Sequence, residues 1–302
     1  ICSKNNEGDV LDVFENHKSM QIKKKDITSF KVNWSEKSDN IKKISEELNL
    51  PLDSFAYWDD NPFERDKVKK LLPEVLTITP SDEVVNWPDQ LRTLEDFAKF
   101  NFTKEDKKKT YQYKIRSKFI SEKNKIVDED SYLKSIKLKA KKINVNSSTI
   151  SRAVQMTQKT NQFNLRTARY TQKDIENIQK NKKNIIFLVN LEDVYGDHGI
   201  VGLIIAKYLN KESIFLDTFL ISCRVLGRNL ESWMLRELKQ TAKKFKYTDV
   251  YAEYIKTKKN VIAKEVLTKH SFKKISRNRK GKILSSLKLH DELYYSKIKN
   301  IN

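Results

Sequence analysis

Residues 55–75 read FAYWDDNPFERDKVKKLLPEV. An apolar run ends at Trp58, two aspartates follow, and Asn61–Pro62 opens a helical pattern over 63–72. Pro51 breaks the pattern before it, so Ser54–Trp58 reads as a short strand with Asp59 and Asp60 at its carboxyl end. Val75–Ile78 reads as the next strand. Working outward, residues 9–17 and 38–50 carry apolar positions at helical spacing: Val10, Val13 and Phe14, then Ile41, Ile44 and Leu48, with Ser38 as a candidate cap. Helices alternating with short buried strands predict a parallel α/β sheet. In such sheets chemistry gathers at the carboxyl ends of the strands, where the two aspartates stand.

Adjacent carboxylates at a strand end have two readings. One is a turn with a helix cap, Asp60 or Asn61 accepting free amides and Pro62 in the first helical turn. The other is a hard-cation site, because Mg²⁺ binds through one or two carboxylates together with phosphate. Neighbouring segments favour the second. CSKNN at 2–6 sets a thiol, a hydroxyl and amides before a helix, a setting for phosphate oxygens. NWSEKSDNI at 33–41 supplies Lys37, a point charge for a phosphoryl group. Cys2 stands beside Lys4 and a helix start, a setting that would lower a thiol's pKa. The plain alternative is a small packed residue ending a strand.

The 302 residues suffice for two domains with separate cores. The formal charge is +20, from 60 Lys+Arg against 40 Asp+Glu. Lysine is spread along the chain and concentrates only at 104–125 and 135–143, without a nucleic-acid-binding signature. That spread reads first as solvated faces, and a phosphorylated substrate or an acidic protein partner explains the surplus at least as well as nucleic acid does. Cys2 and Cys223 fall in different predicted domains, which points away from a disulfide framework and towards a reducing cytoplasm. No run reaches the ~18 apolar residues of a membrane span.

The texture changes from Pro80 to about Arg152, where helical patches at Leu91–Phe100 and Thr110–Ile120 read as a charged helical connector. Ala153–Tyr170 is rich in amides and hydroxyls, either a polar binding segment or a surface loop bonding its own backbone. From Asn184 the α/β pattern returns. NIIFLVNLED and GIVGLIIAKYL form a predicted hairpin around VYGDHG, SIFLDTFLIS and DVYAEYI are further strands, and Leu230–Phe245 and Asn260–His270 are helices. In that turn His198 is a candidate general base oriented by Asp197, although a Gly–Asp–Gly turn needs no catalysis to explain it. RVLGRN at 224–229 follows a strand and opens a helix, as an anion site requires. Cys223 ends an apolar strand beside Arg224, where a thiol is more often packed.

The order hydroxyl, lysine, acidic pair resembles the later motifs of the haloacid dehalogenase (HAD) superfamily. CSKNN, NWSEKSDNI, WDDNPFER and LPEV look like its FkbH-like subgroup, and TNQFNLRTARY and GDHGIVG…ISCRVLGRNLE look like the remainder of the same family. The resemblance implies a HAD-like domain over 1–80, the connector over 81–152 and a GNAT-like mixed α/β acyltransferase domain over 153–302. It implies Mg²⁺-dependent phosphoryl chemistry and transfer of a glyceryl or related acyl group, from a donor such as 1,3-bisphosphoglycerate, to an acyl carrier protein. By position, Ser3, Lys4 and Asn5 would bind phosphate, Lys37 would stabilise it, Asp59 and Asp60 would hold Mg²⁺, and Cys2 would carry the acyl group. GNAT enzymes bind the CoA pyrophosphate with Arg/Gln-x-x-Gly-x-Gly/Ala. Arg224, Gly227 and Arg228 fall in the matching stretch, and Asn229 departs from the pattern at its last position. The phosphopantetheine of a carrier protein shares that chemistry. The family's acidic nucleophile belongs to a strand expected ahead of Ile1, and nothing in 1–302 replaces it. Phosphoryl transfer is therefore expected of the parent protein and not of this chain. The alternative function is an N- or O-acyltransferase using acyl-CoA, with a degenerate HAD domain.

Overall fold

A computed structural model describes residues 1–98, 108–123, 125, 128–277, 282–290 and 298–300. The chain divides into two units, Ile1–Lys125 and Ile126–Asn302.

The first unit holds two parallel strand pairs. β1 (Cys2–Ser3) runs beside β2 (Lys31–Val32), and β3 (Ala56–Trp58) beside β4 (Leu76–Ile78). Parallel pairs need crossovers, which α1 (Glu7–Asn16) and α3 (Pro62–Leu71) provide within them, while α2 (Lys37–Leu48) links one pair to the other. Ile41, Ile44 and Leu48 recur at spacings of three and four on α2 and are all buried. Ile41 packs with Tyr57, Val68, Leu72 and Val75 into one core, with Cys2 and Phe55 against it. Asn49, at φ 51°, ends α2, and its amide and that of Leu50 return to carbonyls of the last turn. Ser38 is not the cap expected of it: Glu36 takes that position, and Ser38 is buried inside the first turn. At α3 the cap reading holds, with Asn61 accepting the Phe63 amide and Pro62 in the first helical turn.

Beyond β4 come α4 (Trp87–Thr93) and α5 (Lys109–Lys123). Lys99 and Phe100 of the predicted patch Leu91–Phe100 lie outside the described residues. Among the described residues no helix is long and apolar enough to cross a membrane.

The second unit is a mixed α/β structure around one eight-stranded sheet. After α6 (Glu129–Ser135) its elements run β5 (Lys139–Ile143), α7 (Ile150–Lys159), α8 (Gln172–Lys180), β6 (Ile185–Asp193), β7 (Gly196–Tyr208) and β8 (Ser213–Ile221). Then come α9 (Leu230–Lys244), β9 (Asp249–Tyr254), α10 (Val261–Lys269), β10 (Lys273–Arg277), β11 (Ile283–Lys288) and β12 (Lys299–Asn300). The strand order is β10-β11-β9-β8-β7-β6-β5-β12, parallel only at β8–β9 and β12–β5. α9 is the crossover that the parallel β8–β9 pair demands. The expected connector 81–152 is thus not one helical element: Lys139–Ile143 joins the sheet beside β6. The predicted hairpin forms with a shorter turn, Val194–Tyr195, so Asp197 and His198 lie in β7.

Strand alternation sorts the two faces. Leu188, Leu203 and Ile205 point to a core with Ile150, Ala153, Met156 and Ile175 of α7 and α8. Val189 and its partner Gly202 point the other way, towards Met234 of α9. A Cβ at Gly202 would lie 2.8 Å from the Met234 sulfur and 3.0 Å from Val189 Cβ. Gly202→Ala is therefore expected to cost about 1–3 kcal/mol by overpacking. Urea unfolding checks this, and an unchanged midpoint would show that Met234 swings clear.

Candidate functional site

The strand ends of the first unit bring the expected residues to one place. Asp59 follows β3 directly, and its carboxylate is 6% exposed. Oδ2 accepts from Lys37 Nζ at 2.5 Å and from the Tyr57 hydroxyl at 2.6 Å, and Oδ1 accepts the Asn61 amide at 3.0 Å. Tyr57 reaches it because residues two apart share a strand face. Burial works against the Asp59 charge, but the Lys37 ammonium, the Tyr57 hydroxyl and the Asn61 amide together hold its pKa below the usual carboxylate value. Burial, then Asp59, pushes the Tyr57 hydroxyl up, so it stays a donor. Arg65, one turn into α3, donates to the carbonyls of Asp59 at 2.8 Å and Asp60 at 2.7 Å, fixing the acidic turn.

Cys2 sits at the adjoining strand end, its thiol donating to the Lys37 carbonyl at 3.6 Å. Here one expectation is corrected. Burial raises the Cys2 pKa, and the opposing pull of Lys37 does not overcome it, so the thiol is not activated at rest. Lys4, expected both to lower that pKa and to bind phosphate, instead pairs with Glu64 at 2.7 Å and Glu36 at 3.3 Å. The Glu64 hydrogen bond first, and Glu36 after it, raise the Lys4 pKa. Lys67 also reaches Glu36, at 2.7 Å. Ser3 is half-buried at the end of β1, while Asn5 is exposed and accepts the Asn6 amide. A cavity of about 400 Å³ between β1 and β3 is lined by Cys2, Phe55, Tyr57 and Trp58 among others.

Among the described residues no group of three or more His, Cys, Asp or Glu is arranged to hold a metal. Asp60 is exposed and Asp59 is held by three donors. This donor set suits Mg²⁺ arriving with a phosphorylated ligand, which needs only one or two protein carboxylates, and does not form an all-protein cage.

In the second unit the anion-loop expectation meets a different arrangement. Cys223–Val225 forms a short turn after β8, Gly227 has φ 87°, and Asn229 starts α9 at φ 56°. The arginine side chains face inward: Arg224 is 5% exposed and Arg228 is fully buried. Arg228 Nε donates to Asp193 Oδ2 at 3.1 Å. His198, a candidate base expected in the turn and oriented by Asp197, is 2% exposed and lies 2.8 Å from the same Asp193 oxygen. Asp197 accepts instead from Asn190 and the Gly199 amide. Asp193 was not singled out in the sequence, although it stands at the hairpin turn five residues before His198. Tyr57, Glu64 and Arg65 were also missed, and all three lie within the stretch that carries the acidic pair.

No protein-family model matches the chain, and no curated protein matches it. Among solved structures, the chain is similar to the N-terminal part of a Bacteroides fragilis protein containing a phosphatase domain complexed with Mg. That match has 40% identity, covers 33% of this chain and 27% of the other, and has a TM-score of 0.32. The match thus spans about a quarter of the length of that solved N-terminal part. It is also similar to the ribosomal-protein-S18-alanine N-acetyltransferase of Escherichia coli, at 12% identity over 52% of this chain and 99% of that one, TM-score 0.38. An N-acetyltransferase of Campylobacter jejuni matches at 16% over 50% and 98%, TM-score 0.34.

Proposed function

We propose that the protein is an FkbH-like enzyme whose first unit binds a phosphorylated acyl donor and captures its acyl group on Cys2 for an acyl carrier protein. One observation carries this reading: a thiol, a lysine and an acidic pair meet at neighbouring strand ends, with Cys2 bonded to the Lys37 backbone and Lys37 to Asp59. Ser3 and Lys37 would receive the phosphate, and Asp59 with Asp60 would hold Mg²⁺, which would supply neutralising charge there. Cys2 Sγ attacks the acyl carbon of an acyl phosphate such as 1,3-bisphosphoglycerate. The carbon–sulfur bond forms, the carbon–oxygen bond to phosphate breaks, and the thiol proton leaves with the phosphate. This suits a thiol that burial keeps protonated at rest. The pantetheine thiol of the carrier then displaces Cys2, which regains a proton.

Intact-mass spectrometry tests the proposal on the protein after incubation with Mg²⁺ and 1,3-bisphosphoglycerate. A glyceryl adduct is expected, absent from Cys2→Ala. No adduct on folded protein, combined with turnover of acyl-CoA, would move the function to the second unit.

A further inference from the structure

The resemblance brings CoA to the loop after β8, and the geometry around that loop argues against it. β8 and β9 pair in parallel from Ser213↔Asp249 to Leu216↔Ala252 and no further. Beyond that point the strands diverge, and diverging parallel strands leave facing amides and carbonyls that must find another partner. Such a slot accepts an extended, amide-bearing arm as an added strand. It opens towards the loop 223–229, so a pantetheine arm whose pyrophosphate lay on that loop would run into it.

The chain itself fills the slot. The Ile221 amide donates to the Phe163 carbonyl at 3.3 Å, Asn164 bridges Leu220, and the Ile255 amide donates to the Leu165 carbonyl at 2.8 Å. The segment is therefore bonded to both diverging strands. Asn260, fully buried, donates to the carbonyls of Asn164 and Ile255, both at 2.9 Å, and accepts the Thr257 amide at 2.7 Å. Phe163, Asn164 and Leu165 are 2%, 1% and 0% exposed, and Phe163 stacks edge-on against Phe219. Arg166 then clamps the first residues beyond the paired region, Asp217 at 2.7 Å and Glu253 at 3.1 Å. The Asn164 side chain accepts the amides of Arg166 and Thr167, which sets the turn that aims the clamp.

We propose that Phe163–Arg166 is a permanent internal occupant of the slot between β8 and β9, so that the second unit does not bind CoA or a pantetheine arm there. The inward-facing Arg224 and Arg228 agree with this, since neither guanidinium faces solvent where a pyrophosphate would lie. Thr160–Tyr170 becomes a structural strap, and the chemistry falls to the first unit. The inference does not rest on the Cys2 reading, and its test addresses a different ligand.

The test is calorimetric titration of the whole chain with CoA and with acetyl-CoA, paired with amide hydrogen exchange. No saturable heat is expected up to about 1 mM ligand. The Ile221 and Ile255 amides are expected to exchange at least about a thousandfold slower than in an unstructured peptide, with or without CoA. Saturable binding of either ligand would overturn the proposal. So would rapid exchange of both amides, which would show the slot open.

Discussion

Asp193→Ala is expected to cost the second unit about 3–5 kcal/mol, the penalty of breaking a buried ion pair from one side. The Asp193 carboxylate is fully buried, with Arg228 Nε at 3.1 Å and His198 Nε2 at 2.8 Å on one oxygen and the Tyr195 amide at 2.9 Å on the other. Truncation leaves the fully buried Arg228 guanidinium without its carboxylate, and no water takes the place cheaply. It also releases the Tyr195 amide, and with it the turn between β6 and β7. Burial opposes the Asp193 charge, but His198 and the Arg228 guanidinium beside it lower its pKa on balance. A carboxylate with a depressed pKa contributes stability that is fully present above about pH 4, its unfolded value, and is lost as pH falls through the folded value. The wild-type second unit should therefore weaken in acid, and Asp193→Asn should flatten that limb. Hydrogen exchange of β7 amides reads the second unit alone. A loss below about 1 kcal/mol would show that solvent reaches Arg228 after truncation. Asp193→Leu combined with Arg228→Met should recover much of the loss, because an apolar pair of similar volume often replaces a buried ion pair without penalty.

That same cluster shows where the sequence stops being informative. An arginine seeks an anion, and RVLGRN after a strand reads equally well whether the anion is a pyrophosphate or the chain's own Asp193. His198 turned inward because the hairpin turn is four residues shorter than VYGDHG suggests, which moves it from the turn to a buried strand position. Lys139–Ile143 was illegible as a strand for a different reason. Three of its five residues are lysines, which have low strand propensity, and the only fully buried side chain is Ala140. Tertiary pairing with β6 decides its state. Where apolar spacing was strong, as in α2, or local chemistry was specific, as at Asn61–Pro62, the sequence reading and the structure agree. Asp59 was legible from its place at a strand end, and Lys37 and Cys2 joined it through the order of motifs that resembles the HAD superfamily. Lys4 was not, since its use depends on Glu36 and Glu64, brought to it from two separate helices' starts.

Lys37→Met is the second large effect, and it separates the structural from the chemical role of the site. Lys37 is 11% exposed and Asp59 6%, so removing the ammonium leaves a buried carboxylate with two neutral donors. The first unit should lose about 3 kcal/mol near neutral pH. The sign in acid follows from the lowered Asp59 pKa. In the wild type its contribution is complete above the unfolded carboxylate pKa and fades as pH falls through the folded one. Without Lys37 the folded pKa rises, so acid unfolding of the first unit should begin at higher pH, as read by exchange at α2 and α3 amides. On the proposed reading, acyl capture by Cys2 should slow about 10²–10³-fold, the cost of removing one preorganised charge from a developing phosphate. Lys37→Arg discriminates the roles. A guanidinium can still pair with Asp59, so the acid limb should return towards wild type, but its broader, planar head cannot reproduce a compact ammonium between carboxylate and phosphate. Stability restored with capture still slow supports a direct part for Lys37 in the reaction. Both restored together would reduce its role to holding Asp59 in place.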